Sequence, residues 1–414
     1  MTTSTRARRL DSEIAPFGPG LAPVPNETIR IVHVITIPES FGLMRGQLSY
    51  MAARGVAISA ISSPGEALDA LAERERVPVF AVPMARRITP FADAVAVLRI
   101  YRVLRQIRPD IVHAQTPKGG LLGTIAAWLA RVPVRIYHIR GLPLTVATGM
   151  RRVLLLVTER IACGLASQVL CVSHSLRAVA VAEGLCPAGK IKVLGSGSGN
   201  GVDADQRYNP QRTGSQRDTI RNALGIPTDA IVAGFVGRIV RDKGVIELTR
   251  AWSKIREEFP DLHLLVAGRF EDQDPIPDDV GAALRTDPRV RLVPWWDDMP
   301  ALYSAMDLVV LPTYREGFPN VPLEAAAMGL PVVATNVPGC IDSVRDGVTG
   351  TLVPARDPVA LEEAIRSYLR NPDRGRAHGD AGRERVLRDF RQQAVWDALR
   401  AEYSRLMRRS ASNS

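Results

Sequence analysis

Apolar residues in the first half of the chain fall into short β-branched runs that alternate with amphipathic segments. One such segment, Ala92–Arg108, repeats its apolar side chains at helical spacing. Strands that alternate with amphipathic helices are typical of βαβ units and of a parallel sheet. The strands predicted in this half are Ile29–Thr36, Val56–Ser59, Val79–Val82, Ile111–Ala114, Val134–His138, Val169–Val172 and Ile191–Leu194.

The second half repeats the pattern, with strands predicted at Ile231–Val236, His263–Ala267, Val290–Val293, Leu308–Leu311, Val332–Ala334 and Thr351–Val353. Between the halves lies Gly195–Gly201, which holds only Gly, Ser and Asn and predicts a hinge or tight loop. We therefore expect an α/β protein with two doubly wound, Rossmann-like domains that face each other across a cleft. Ligands of such sheets bind at the carboxyl ends of the strands.

These patterns divide the chain into four parts. Residues 1–27 contain Arg, Pro and Gly and predict a disordered basic leader. We expect the N-terminal domain over 28–200 and the C-terminal domain over 201–381. The last part, 382–414, predicts one amphipathic helix over Gly382–Met407, which could pack on either domain, including back on the N-terminal one.

The composition excludes several classes of protein. The 414 residues are 46% hydrophobic and 23% charged, which excludes collagen, a coiled coil and wholesale disorder. The longest apolar runs fall far short of the ~18–20 residues that a bilayer span needs. The start of the chain lacks the apolar segment of a secretory signal, and the four cysteines form no CxxC pair. These features predict a cytoplasmic protein with free thiols.

The net charge of +10 is unevenly placed. Residues 1–200 carry 24 Lys and Arg against 12 Asp and Glu, whereas residues 201–414 carry 29 against 31. A basic half indicates an anionic partner, either nucleic acid, a membrane surface or a phosphorylated substrate, unless its charges are merely solvated. The sequence has no helix-turn-helix, RRM or zinc signature and only 5% aromatic residues, which argues against nucleic acid. We expect peripheral binding to an anionic membrane surface on its inner face.

The first candidate site is the segment Gly237–Gly244, which follows an apolar strand and opens a helix. Its glycines let the backbone approach a ligand, and the helix N-terminus offers free N–H groups. Arg238 and Lys243 add two full positive charges. The segment therefore predicts a cradle for phosphate or pyrophosphate, although a plain strand–helix turn with surface charges has the same residues. It is not a Walker A loop, because GxxxxGK[ST] is absent.

The second candidate site is the segment Glu316–Glu324, which follows the strand Leu308–Leu311. A carboxylate at a strand's carboxyl end can accept hydrogen bonds from a ribose diol or from sugar hydroxyls. The backbone N–H groups of Gly317, Phe318 and Asn320 are free to meet an anion. The alternative for each glutamate alone is a helix cap or a surface charge.

Two further sets of residues lie at strand ends of the N-terminal domain. The loop after the first strand contains Gly42 and Gly46 but no GxGxxG motif, so it indicates anion binding only weakly. The other set is basic and predicts a pocket for an anionic acceptor, although a lone histidine is more often a structural residue. Its basic members are His113, Lys118, His138, Arg140 and His174.

These motifs together resemble the family 4 retaining glycosyltransferases of the GT-B fold. The resemblance rests on the GR…KG loop at Gly237–Gly244, the two glutamates eight residues apart, Asn200–Asp203 and the segment 295–339. The segments QTPKGGLLG and IYHIRGLPLTVATG look most like the corresponding segments of bacterial enzymes that build polysaccharide on polyprenyl-linked intermediates. The resemblance implies retaining transfer of a hexosyl or N-acetylhexosaminyl group from a nucleotide-sugar, with UDP as the nucleotide, to a polyprenyl-diphosphate-linked or other glycan acceptor. A nucleotide-sugar epimerase on the same scaffold is the alternative.

The resemblance also assigns roles. Arg238 and Lys243 would neutralise the leaving diphosphate beside Gly237, so neither a metal nor another cofactor is required. Glu324 would hold the ribose, and Glu316 would hold the donor sugar beside the backbone of Gly317, Phe318 and Asn320. Gly42 would face the phosphates from the opposite domain, and Pro294–Asp298 would border the base.

Relatives carry a histidine before a glycine after the fifth strand, where this chain reads His138-Ile-Arg140-Gly141, so His138 or Arg140 could contact the donor sugar. His113, Lys118 and His174 are expected to face the acceptor.

Overall fold

The computed structural model describes residues 28–294 and 296–412. The predicted leader over 1–27 and Trp295 therefore lie outside the described residues. Within the described part, no helix is both long enough and apolar enough to cross a bilayer.

Two parallel sheets form the two predicted domains, and every predicted strand overlaps an observed one. The first sheet has seven strands in the order β3-β2-β1-β4-β5-β6-β7. They are β1 (Arg30–Val34), β2 (Ala57–Ser62), β3 (Val79–Ala81), β4 (Ile111–Gln115), β5 (Val134–Ile139), β6 (Gln168–Cys171) and β7 (Ile191–Val193). The second sheet has six strands in the order β10-β9-β8-β11-β12-β13. They are β8 (Ile231–Val236), β9 (Leu262–Ala267), β10 (Val290–Val293), β11 (Leu308–Leu311), β12 (Val332–Thr335) and β13 (Gly350–Val353).

Helices connect these strands and cover both faces of each sheet. In the N-terminal domain they are α1 (Gln47–Ala52), α2 (Glu66–Glu75), α3 (Pro90–Ile107), α4 (Pro117–Leu129), α5 (Gly149–Leu165) and α6 (His174–Ala182). The remaining helices are α7 (Pro210–Thr213), α8 (Arg217–Ala223), α9 (Val245–Glu258), α10 (Asp278–Thr286), α11 (Met299–Ser304), α12 (Asn320–Ala327), α13 (Cys340–Ser343), α14 (Pro358–Arg370), α15 (Pro372–Asp389) and α16 (Gln392–Ala411). Short 3-10 turns lie at Pro38–Met44, Pro143–Thr145, Gly214–Gln216 and Arg241–Lys243.

The strand sequences explain why both faces are buried. Along β8, Val232 packs into one apolar cluster while Ala233 and Phe235 pack into the cluster on the opposite face. Successive strand residues point to opposite faces, so a continuous apolar run suits a sheet that is covered on both sides. The strand order reverses between β1 and β4 in one sheet and between β8 and β11 in the other. Such switch points open a crevice at the carboxyl ends of the strands, which places the ligand site there.

The chain crosses between the domains twice, and the two crossings are hydrogen-bonded together. The first follows β7 through the glycine-rich segment 195–201, and the second lies between α15 and α16. The backbone N–H of Val202 donates to the carbonyl of Phe390 at 2.9 Å. An added Cβ at Gly201 would lie 2.6 Å from that carbonyl oxygen, and its φ of +65° also favours glycine.

The prediction of a single helix over Gly382–Met407 is wrong, because the helix is interrupted at this second crossing, between α15 and α16. Phe390 is buried in a core of the C-terminal domain. The apolar face of α16 instead packs on the N-terminal sheet through Trp396, Leu399, Tyr403 and Leu406. The amphipathic pattern continues through the break because each half buries an apolar face, although in different domains.

Candidate active site in the cleft between the domains

A polar cavity of about 180 Å³ lies between the carboxyl ends of the two sheets. Its charged lining holds four cationic side chains and only two anionic ones, so it has an excess of positive charge. The N-terminal domain contributes Arg140, Gly141 and Leu142, and the C-terminal domain contributes Arg238, Asp242, Lys243, Arg315, Glu316 and Gly317.

The segment 237–244, here called the β8 loop, forms one wall of the cavity. It approaches its neighbours closely: an added Cβ at Gly244 would lie 1.9 Å from the carbonyl oxygen of Pro312. Gly244 also has a φ of +71°, which favours glycine, and it directly precedes α9. The side chain of Arg238 is 43% exposed and pairs with Glu271 at 2.9 Å. The β8 loop thus places Arg238 and Lys243 at the cavity and leads into the start of α9, and the phosphate cradle itself stays a prediction.

The segment 312–319, here called the β11 loop, lines the cavity beside the β8 loop. It is tied to the β8 loop by Asp242, whose carbonyl accepts a hydrogen bond from the N–H of Tyr314 at 2.8 Å. The carboxylate of Asp242 accepts another from Arg315 at 2.7 Å. In the cavity itself, the ammonium of Lys243 forms a short ion pair with Glu316. The loops after β8 and β11 thus bring Lys243 and Glu316 together across 73 residues of sequence.

Glu324 lies one turn into α12 and is held by two tyrosines. Tyr303 donates a hydrogen bond to its Oε2 at 2.9 Å. Burial raises the pKa of Glu324, and the hydrogen bonds from Tyr303 and Tyr208 partly oppose that rise. Asn320 is the first residue of α12. Phe318 packs against apolar clusters of both domains, so it joins the domains beside the cavity.

Arg140, and not His138, lines the cavity. His138 is 6% exposed and its Nδ1 lies 3.1 Å from Nε2 of His113, beneath the cleft. The two positions differ because β5 ends at Ile139, so Arg140 leaves the strand while His138 stays within it. Burial lowers the pKa of Arg140 to about 10, so its guanidinium is still cationic at neutral pH.

The structure does not bring the three predicted acceptor residues together. His113 is fully buried in the middle of the sheet, where its Nδ1 lies 2.6 Å from the hydroxyl of Tyr403, so it cannot reach an acceptor. Lys118 pairs with Asp93 at 2.6 Å and donates to the carbonyl of Arg87, so it contacts its own domain, and its role toward an acceptor stays a prediction. His174 is exposed at the start of α6, and its backbone N–H donates to Asp342.

Gly42 also lies away from the cavity. It is exposed in the first 3-10 turn, and an added Cβ there would meet no atom within 4 Å. Gly46 is the constrained glycine of this loop, because its φ is +82° and an added Cβ would lie 2.9 Å from the ring of Trp396. In the segment expected to border the base, the side chain of Asp298 caps α11 by accepting from the N–H of Ala301.

Asp242 and Arg315 also line the cavity, although the sequence motifs predict no role for them. Their positions in the sequence point to the site, because each directly precedes a predicted site residue, Lys243 or Glu316. Gln115, which contacts Arg140, carried no such signal. It becomes visible only when β4 and β5 pair, with Gln115 beside His138 in register.

Comparisons with known proteins place the chain in a family. Residues 44–197 match a family described as "Glycosyl transferase 4-like domain" and residues 230–371 match "Glycosyl transferases group 1". The capsular polysaccharide biosynthesis glycosyltransferase CapM of Staphylococcus aureus is 34% identical over 382 residues, which is 92% of this chain and 98% of CapM. An Escherichia coli UDP-Gal:alpha-D-GlcNAc-diphosphoundecaprenol alpha-1,3-galactosyltransferase is 28% identical over 72% of this chain and 76% of its own length.

Solved structures agree on the fold. Anabaena Alr3699/HepE in complex with UDP and glucose has a TM-score of 0.75 at 20% identity, and the match covers 91% of this chain and 99% of that one. The lipopolysaccharide biosynthesis glycosyltransferase WaaG has a TM-score of 0.68 at 16% identity, over 89% of this chain and 98% of that one. The match to CapM and the two family models show that the chain belongs to the family 4 glycosyltransferases, and the solved structures agree with the GT-B fold of its two parallel sheets.

Proposed function

We propose that this glycosyltransferase moves a hexosyl or N-acetylhexosaminyl group from a UDP-sugar to a polyprenyl-diphosphate-linked or other glycan acceptor, with retention of anomeric configuration. The observation that carries the donor assignment is the charge of the cavity between the domains, whose lining holds four cationic side chains and two carboxylates. A nucleoside diphosphate supplies the negative charge that this lining lacks. The sugar then lies at the interdomain boundary, beside Arg140 and Glu316.

The chemistry requires stabilisation of the leaving diphosphate. As the anomeric C–O bond breaks, negative charge grows on the diphosphate and positive charge on the anomeric carbon. Arg238, Lys243 and the start of α9 are fixed in place before the reaction, so they stabilise that negative charge without reorganisation. In a front-face reaction the leaving phosphate accepts the acceptor's proton as the new bond forms on the same face. With this charge balance no metal ion is required, which stays a prediction of the proposal.

The two glutamates have different roles in this proposal. Glu324 accepts hydrogen bonds from the ribose hydroxyls, and its tyrosine partners fix its orientation. Glu316 accepts hydrogen bonds from the donor sugar while its ion pair with Lys243 keeps both groups at the reacting bond. Free UDP contains the ribose but no transferred sugar, so the two roles can be separated by experiment.

The relatives support a lipid-linked acceptor in cell-surface polysaccharide synthesis. CapM is named for capsular polysaccharide biosynthesis, and the Escherichia coli galactosyltransferase is named for an acceptor on diphosphoundecaprenol. A polyprenyl tail stays in the membrane, so we propose that the chain acts as a peripheral protein on the inner face of the cell membrane.

A surface of the N-terminal domain supports this membrane role. α4 packs between α3 and α5. The outer sides of α3 and α5 expose apolar side chains, of which Phe91 is 92% exposed and Met150 82%. Both lie at the N-terminal ends of their helices, which is the cleft end of the domain. Arg86, Arg87 and Arg151 are exposed beside them. Exposed apolar side chains next to arginines suit an anionic leaflet.

The activity is tested by incubating the protein with a panel of UDP-sugars and a polyprenyl-diphosphate-linked acceptor, and by mass spectrometry of the lipid product. We expect one donor to give a product heavier by one sugar residue, with release of UDP. Donor isomerisation without any acceptor favours the alternative, a nucleotide-sugar epimerase. An anomeric configuration in the product opposite to that of the donor would contradict retention.

A further inference from the structure

Arg140 is closely packed by other parts of the chain. It lies where three chain segments meet, namely the end of β5, the interdomain segment 195–201 and the β11 loop. An added Cβ at Gly199 would lie 2.2 Å from Nη1 of Arg140, and one at Gly317 would lie 1.8 Å from its carbonyl oxygen. Glycine at these two positions therefore leaves the room that Arg140 occupies.

Gln115, the last residue of β4, joins this arrangement from below. It is fully buried. Its Oε1 accepts a hydrogen bond from Nε of Arg140. Its Nε2 lies 2.9 Å from Nδ1 of His33, which is also buried. The chain of contacts runs from β1 through β4 to the residue after β5.

Donor and acceptor chemistry determines the direction of each bond in this chain. A guanidinium can only donate, so the oxygen of the Gln115 amide must face Arg140 and its NH₂ must face His33. His33 must then accept at Nδ1, which requires the neutral imidazole with its proton on Nε2. Burial, with the nearby charge of Arg140, lowers the pKa of His33 to about 3, so the imidazole is neutral at physiological pH.

We propose that Gln115 is a positioning residue, which holds the guanidinium of Arg140 in the direction that meets the donor, with His33 fixing the amide of Gln115. The proposal rests on the proposed function, because it assumes that a donor diphosphate occupies the cavity. Gln115 does not line the cavity and acts only through Arg140. Placement of a charged group matters here, since a displacement of about 1 Å in a catalytic group can cost about a hundredfold in rate.

The test is a double-mutant cycle on the full-length protein. Gln115→Met keeps the length of the side chain and removes the acceptor for Arg140. We expect kcat for sugar transfer to fall about tenfold or more, while the Kd for free UDP changes less. In an Arg140→Ala background the same substitution should change kcat by less than about twofold, because the group it positions is gone.

Gln168→Met is the matched control, because Gln168 is a buried glutamine on β6 of the same sheet with hydrogen bonds to Lys190 and Arg405 and none to Arg140. We expect it to leave kcat unchanged within about twofold. Should Gln115→Met not fold, Gln115→Asn keeps the amide on a shorter side chain and should show the same dependence on Arg140. If Gln115→Met lowers kcat by the same factor with and without Arg140, in an enzyme that is otherwise active, the positioning role is overturned and the proposed function is not. A wild-type protein that neither binds UDP nor transfers sugar would overturn the proposed function and this inference with it.

Discussion

The carboxylate of Asp342 in the C-terminal domain accepts a hydrogen bond at 3.0 Å from the backbone N–H of His174 in the N-terminal domain. It also accepts from the backbone N–H of Ser175 at 3.3 Å and from the Ser175 hydroxyl. One carboxylate thus caps the N-terminus of α6 from the other domain, where the helix dipole favours negative charge. Next to it, the hydroxyl of Ser173 donates to the carbonyl of Gly317 at 2.7 Å. This arrangement of the domains is therefore held by polar contacts beside the cavity.

Replacing Asp342 with Asn should weaken this interdomain contact, because the cap keeps its size but loses its charge. We expect a loss of about 1 kcal/mol in the contact and faster amide hydrogen exchange at the start of α6. Hydrogen exchange followed by mass spectrometry measures this. Asp373→Asn is the control, since the Asp373 side chain is exposed on α15 and pairs with Arg376 of the same helix. Equal exchange at α6 in wild type and Asp342→Asn would show that the cap does not hold the domains together.

Arg238→Ala and Lys243→Ala should each reduce kcat severely, by about 10²–10³-fold, because the developing charge on the diphosphate would be undercompensated. Thermal stability should change little, since both side chains lie on a loop at the cavity. Steady-state kinetics and thermal unfolding check the two expectations together. Lys254→Ala, on the exposed side of α9, is the control. A normal kcat in either cavity variant would remove that residue from the mechanism.

Glu324→Gln should weaken the binding of free UDP, whereas Glu316→Gln should leave it largely intact and reduce transfer. Burial raises the pKa of Glu324, and ribose binding uses the ionised carboxylate. UDP affinity of the wild type should therefore fall as the pH is lowered through that raised pKa, and the Gln variant should lose this dependence. Calorimetric titration of UDP across the acidic range measures both effects. Equal losses of UDP affinity in the two variants would contradict the division of roles.

Glu159, on the inner side of α5, should make stability depend on pH. It is 2% exposed, and Tyr137 donates a hydrogen bond to it at 2.7 Å. Burial raises the pKa of Glu159 from 4.5 to about 7. The unfolded chain ionises this group first as pH rises, so stability is lost between about pH 4.5 and 7.

Glu159→Gln should therefore be more stable than the wild type at pH 8, by up to about 3 kcal/mol, and similar to it at pH 4.5. Denaturant unfolding at the two pH values measures this difference. Glu73→Gln, at an exposed position of α2, should show no such difference. A variant that is less stable than the wild type by the same amount at both pH values would contradict this. It would mean that the Glu159 side chain contributes packing and that its ionisation does not lower stability.

The sequence predicted the fold well and the site in part, for physical reasons. Strands such as Ile231–Val236 carry continuous β-branched and apolar runs, which few structures other than a buried strand accommodate. Lys243 and Glu316 lie in loops that directly follow strands, so their meeting follows from a parallel sheet. The partners of His113 and Lys118, Tyr403 and Asp93, could not be read from the sequence because they are distant in it. Periodicity alone does not reveal which basic residue is already paired in the folded protein.

The membrane role predicts that exposed apolar residues at the cleft end of α3 and α5 bind an anionic leaflet. We expect the protein to float with anionic but not with neutral liposomes, and salt to release it, because electrostatic attraction to the leaflet is screened beyond about 8 Å at physiological ionic strength.

Phe91→Ser combined with Met150→Ser should abolish flotation without lowering thermal stability, since both side chains are more than four-fifths exposed. Val359→Ser, at a 61% exposed apolar position of α14, is the control and should float like the wild type. Arg86→Glu should weaken binding by about 1 kcal/mol or more, because it replaces attraction to the anionic surface with repulsion. Flotation of the double variant as strong as that of the wild type would exclude this surface, and no flotation of the wild type at low salt would exclude peripheral binding by the protein alone.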